Sequence, residues 1–100
     1  MIKISGQKYE VILNDRWESL TGNEGNGCYR LGKIIISSEC CKERQEHTLF
    51  HEIMEIINDH QELQLPHQMI SSISTAWYAI FKENDLLPKD LLKRVGAVEK

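Results

Sequence analysis

The run His51-Glu52-Ile53-Met54-Glu55 carries two metal-capable side chains four residues apart, with a second carboxylate beside the first. On an α-helix, residues four apart lie above one another on the same face, and the next residue along is rotated by about 100°. A cation held by His51 and Glu55 would leave Glu52 close enough to take a proton from water on that cation. This is the geometric logic of the pattern H-E-x-x-H, in which two ligands flank a general base. Glu55 stands where that pattern has its second histidine. The chemistry to which such a set points is metal-assisted hydrolysis, and it needs a third ligand, because catalytic zinc usually takes three from the protein and keeps one position open.

The best third candidate is His67, which follows Pro66. If the helix carrying His51 and the next helix form an antiparallel hairpin, the start of the second lies beside the end of the first. His67 then falls within roughly one turn of Glu55. His51, Glu55 and His67 give two imidazoles and one carboxylate, the inventory that hydrolytic zinc sites use. His47 extends the His51–Glu55 stripe by one turn, and with His60 and Tyr78 it is a candidate for lining a cleft. The competing reading is an amphipathic helix whose polar face happens to contain His and Glu, with His67 an ordinary surface residue. Ser71, Ser72 and Ser74 have no acid–base relay, so a serine nucleophile is not expected.

The elements that must position these residues change character near Ser37. Before it the pattern is strand-like: Ile2 and Ile4, then Tyr9, Val11 and Leu13, alternate with polar residues. Residues 14–27 hold three of the six glycines and read mostly as loop. Cys28-Tyr29-Arg30, the turn Leu31-Gly32 and Lys33 to Ser37 predict a hairpin. After Ser37, Ser37 or Ser38 can cap a helix whose apolar residues include Leu49, Phe50, Ile53, Ile56 and Ile57. Pro66 suits the start of a second helix with Met69, Ile70, Ile73, Ala76, Trp77, Ile80 and Phe81 as its apolar face. Pro88 begins a short third helix, and the tail is expected to fray. The prediction is one α+β domain over 1–100, with strands at about 2–13, 28–30 and 33–37 and helices at about 41–59, 66–84 and 88–95. Its small three-stranded antiparallel sheet packs on the His51 helix and a second, antiparallel helix.

Composition narrows the function classes. The 100 residues include 41% apolar and 27% charged side chains, ordinary for a globular domain. A net charge of −3 offers no electrostatic footprint for nucleic acid or an anionic membrane. No apolar run approaches the ~20 residues of a spanning helix, and the N-terminus lacks a signal-peptide core. A cytoplasmic location follows as the expectation. Cys28, Cys40 and Cys41 have no metal-type spacing and are expected to be reduced bystanders.

The stretch Glu43 to Ile57, with Glu43-Arg44-Gln45, Thr48-Leu49, His51-Glu52 and Glu55-Ile56-Ile57 at its key positions, resembles small phage- and prophage-encoded proteins related to the ImmA/IrrE-type metallopeptidases. The similarity runs back to Lys33–Ser37 and forward through Leu65-Pro66-His67-Gln68 to the helix end Trp77 to Asn84. It covers about residues 28 to 87. The resemblance implies a minimal zincin-like domain, with His51 as first zinc ligand, Glu52 as catalytic base, and Glu55 at the second-ligand position, where classical members have histidine. His67 falls in the region that supplies the third ligand. A Zn²⁺ cofactor is implied, as is a phage protein working in the bacterial host cell. Its function would be to hydrolyse a peptide bond in a specific protein partner, such as a phage or host regulator, by Glu52-assisted attack of metal-bound water. Strand Lys33 to Ser37, if it is the sheet edge beside the helix, would align an extended substrate. The alternative is a catalytically inactive interaction protein that retains the fold.

Overall fold

The structure is a computed structural model, and it describes residues 1–15, 25–28 and 32–99. Strands β1 (Ile2–Ile4) and β2 (Gln7–Asn14) form a hairpin, followed by β3 (Gly25–Cys28) and β4 (Lys33–Ser37). Helices α1 (Lys42–His60), α2 (His67–Glu83) and α3 (Leu91–Arg94) come next, and β5 (Val98–Glu99) is the last described element. Ser5 and Gly6 both have positive φ, 52° and 83°. That is the signature of the two-residue turn whose twist suits a tight hairpin, and Ile4 pairs with Gln7 across it.

The domain is α+β, but its sheet is mixed rather than antiparallel. The strand order is β1-β2-β4-β3, and β5 adds to β2. β2 and β4 run parallel, in register from Glu10↔Lys33 to Asn14↔Ser37. Adjacent strands in the sequence usually pair antiparallel, whereas a parallel pair needs a long crossover. β3 falls between β2 and β4 in the sequence and lies antiparallel on the other edge of β4. The expected antiparallel partner of β4 is present as Gly25–Cys28. Tyr29, Arg30 and Leu31 lie outside the described residues. β4 is consequently an interior strand, with β2 on one side and β3 on the other. It cannot be the edge that takes up an extended substrate.

Alternation along the strands sorts the core. Tyr9, Val11, Ile34 and Ile36 are fully buried, and they pack with Ile4, with Leu49 and Ile56 of α1, and with Leu92 of α3. Each fully buried Leu or Ile contributes roughly 1.5–3 kcal/mol. Helix α1 thus lies on the sheet, and α2 packs against α1 through Ile70, Ser74 and Tyr78. Part of α2's apolar face points away: Met69, Trp77 and Ile80 are about half exposed. The tail also departs from expectation, because Val98 and Glu99 pair with Ile12 and Leu13 of β2 instead of fraying. The N-terminal amine anchors nearby by donating to the Val95 carbonyl at 2.8 Å. Among the described residues no helix is long and apolar enough to cross a membrane.

Candidate metal centre

Helix α1 starts at Cys41, an extended N-cap residue that makes no side-chain cap. Neither Ser37 nor Ser38 caps it; the Ser37 hydroxyl instead accepts from the Glu39 amide at 3.2 Å. Nineteen residues of α1 are enough to carry His47, His51 and Glu55 up one side while Leu49, Glu52 and Ile56 lie buried. The helix ends in a Schellman turn, with Leu63 N–H donating to the Asn58 carbonyl at 3.1 Å and Glu62 N–H to Asp59 at 3.2 Å. Pro66, extended at φ −62° and ψ 149°, is then the N-cap residue of α2, and His67 is that helix's first residue.

This short reversal brings His51, Glu55 and His67 together, with one nitrogen or oxygen from each all within 4.8 Å of one another. His67 Nδ1 is 3.2 Å from Glu55 Oε2, and His51 Nε2 is 4.0 Å from the same oxygen. The two imidazole rings meet edge to face with centroids 4.8 Å apart. Tetrahedral coordination at ~2.0–2.1 Å puts donor atoms about 3.3 Å apart. The Glu55–His67 edge already has that length, and the longest edge must contract by about 1.5 Å. Rotation of the His67 side chain, 71% exposed, can supply this movement. Two nitrogens and one carboxylate oxygen also match the donor chemistry of zinc.

Electrostatics favour the same use. Burial pushes the His51 pKa down; the Glu55 carboxylate opposes this, while His67, His47 and Arg44 add to it. His51 is thus held as the neutral imidazole that metals bind. Glu52 is only 8% exposed. It lies on the α1 stripe between Leu49 and Ile56, and its carboxylate has no hydrogen-bond partner among the described residues. Burial and then the charge of Glu55 raise its pKa to about 7, with His67 pulling the other way. Its electrostatic neighbours are therefore two of the three candidate ligands. A carboxyl titrating near neutrality is matched to general acid–base work.

The three cleft candidates separate. His47 contacts the Thr75 hydroxyl at 2.9 Å and Arg44 at 3.1 Å. It lines a surface depression of about 320 Å³ with Cys41, Glu43, Arg44, Tyr78 and Ala79. His60, the last residue of α1, is bonded to the buried Tyr9 hydroxyl at 3.0 Å and does not join the cluster. Tyr78 is also engaged elsewhere, since its hydroxyl donates to Glu46 Oε1 at 2.9 Å. Glu46 is 2% exposed and has Lys82 Nζ at 3.6 Å. Burial, and then the hydrogen bond to Glu46, raise the Tyr78 pKa. Sequence reasoning missed this Glu46–Tyr78–Lys82 group. Its one signal was an acid, Glu46, set three residues before Leu49 on the buried side of the helix. Cys40 and Cys41 form no disulfide among the described residues. Compared with protein-family models, with curated proteins and with solved structures, the chain matches none of them.

Proposed function

We propose that this chain is a metal-dependent peptidase of the kind its sequence resembles, with His51, Glu55 and His67 as ligands and Glu52 as the base. The observation that carries the reading is Glu52: a buried carboxyl without a hydrogen-bond partner among the described residues, set beside a convergent His–Glu–His cluster. A lone buried carboxyl weakens a fold and is retained where it serves a function, so perturbed groups of this sort mark functional sites. A zinc ion there would supply Lewis acidity towards a peptide carbonyl and towards water. His51 and His67 present ring nitrogens to the cation, and Glu55 offsets part of its charge. Glu52 accepts the proton of the attacking water and returns it to the departing amine nitrogen. Phage or prophage origin, a protein substrate and work inside a bacterial cell belong to the same proposal.

The test is Glu52→Gln. Zinc uptake is retained and cleavage of an unfolded protein substrate, followed by mass spectrometry of the peptides released, is lost. A variant as active as the wild type would exclude Glu52 as the base.

One observation favours a second reading, an interaction protein without catalysis. Met69, Trp77 and Ile80 leave an apolar stripe exposed along α2, and such stripes mark contact surfaces. Absence of zinc uptake, with partner binding indifferent to chelators and to His51→Ala, would establish that reading instead.

A further inference from the structure

We infer that Asn58 is a positioning residue for the metal centre, its side-chain amide fixing where His67 stands relative to Glu55. The inference rests on the metal reading of His51, Glu55 and His67. Glu55 and His67 belong to different helices, so their separation is set by residues 61–66. The His67 side chain is itself mostly exposed and touches only ligand candidates of α1, His51 and Glu55, among the contacts described above. Its position therefore depends on the backbone that delivers it.

That backbone is under strain. Glu62 and Gln64 adopt positive φ, 51° and 56°, a conformation that is costly for an L-residue. Something must over-determine it, and Asn58 binds the loop at both ends. Its main-chain carbonyl accepts from Leu63 N–H at 3.1 Å. Its side chain then makes a reciprocal pair with one residue: Nδ2 donates to the Leu65 carbonyl at 3.2 Å, and Oδ1 accepts from Leu65 N–H at 3.0 Å. Only Pro66 separates this clamp from His67. Proline has a fixed φ, and its carbonyl accepts the first α2 bonds from Met69 and Ile70 at 3.0 and 3.1 Å. From Leu65 onward the path to His67 is thus stiff. Asn58 also lies three residues beyond Glu55, on the same side of α1. One side chain couples the helix bearing His51 and Glu55 to the residue that launches His67.

The amide is chemically suited to this role, since it offers one donor and one acceptor at the right separation. Aspartate keeps the acceptor for Leu65 N–H but turns a second oxygen towards the Leu65 carbonyl. Alanine loses both bonds.

The experiment compares wild type, N58A, N58D, H67A and the double variant N58A/H67A. Zinc affinity is measured by competition with a chromophoric chelator, and coordination by the visible spectrum of the Co²⁺-loaded protein. Asn58→Ala is expected to weaken zinc binding about 10–100-fold, the usual effect of losing a group that orients a ligand. It should also shift the cobalt bands from the intense tetrahedral pattern to a weaker, more open one. N58D should fall between. In the H67A background, Asn58→Ala should add nothing, because the interaction it serves is already gone. Zinc affinity dependent on His67 but unchanged in both N58A and N58D would overturn this inference and leave the metal reading intact. An equal loss from Asn58→Ala with and without His67 would show general destabilisation and also overturn it. No zinc uptake by wild type would remove the metal reading and this inference together.

Discussion

Replacing Glu52 by Gln in the metal-free protein should make it more stable at neutral pH and abolish part of its pH dependence. The folded-state pKa of Glu52 is raised from 4.5 to about 7. A carboxyl raised in this way is protonated in both folded and unfolded chains below about pH 4.5, and there it has no effect on stability. Between the two values the unfolded chain loses its proton first, so stability falls as pH rises. Above about pH 7 the full penalty is in place. Each pH unit between the two values is worth about 1.4 kcal/mol, so Glu52 should cost the apo-protein about 3 kcal/mol at pH 8. Glutamine keeps the shape and cannot ionise. In chelator, urea melts of wild type and E52Q should give similar unfolding free energies near pH 4.5. They should diverge steadily towards pH 8, with E52Q the more stable by about 3 kcal/mol. Parallel curves over this range would refute the claim that burial holds the Glu52 carboxyl well above its usual pKa.

Two further substitutions probe the scaffold. Glu62 occupies the left-handed position of the Schellman turn after α1, at φ 51°, where glycine is the usual residue. Glu62→Gly should therefore stabilise the protein by about 0.5–1 kcal/mol in thermal or urea melts; a loss of stability would show that Glu62 makes a compensating contact. Tyr78→Phe deprives the buried Glu46 carboxylate of its hydroxyl partner and should cost about 1–3 kcal/mol in the same melts, whereas a neutral outcome would mean that Lys82 alone satisfies Glu46.

Helical periodicity made the candidate site readable. Spacing of four put His51 and Glu55 on one stripe, and a short connection ending in Pro66 left His67 little choice but to return beside them. The sheet was less legible. Nothing in Tyr9, Val11 or Leu13 says which strand they face, and the glycine-rich stretch after Asn14 gave no sign that β3 would make room for β4 beside β2. Local pattern encodes which residues alternate, whereas parallel pairing is a property of the whole chain. The face of α2 was hidden for a different reason. Apolar side chains surround much of that helix, so periodicity alone could not decide that Ile70 turns inward while Trp77 and Ile80 stay exposed. Glu46 and Tyr78 escaped notice because they lie 32 residues apart, and their hydrogen bond exists only once α1 and α2 have packed. The same packing makes Glu52 unusual, since a glutamate at that position in an isolated helix would simply be solvated.

The most direct test of the proposed metal centre is a zinc titration of wild type and His67→Ala against a chromophoric chelator at neutral pH. One tight equivalent in wild type, weakened at least about tenfold by the substitution, is the expected result. A wild-type protein that takes up no zinc, or a variant that binds as tightly as wild type, would contradict the assignment of His51, Glu55 and His67 as a metal-binding set.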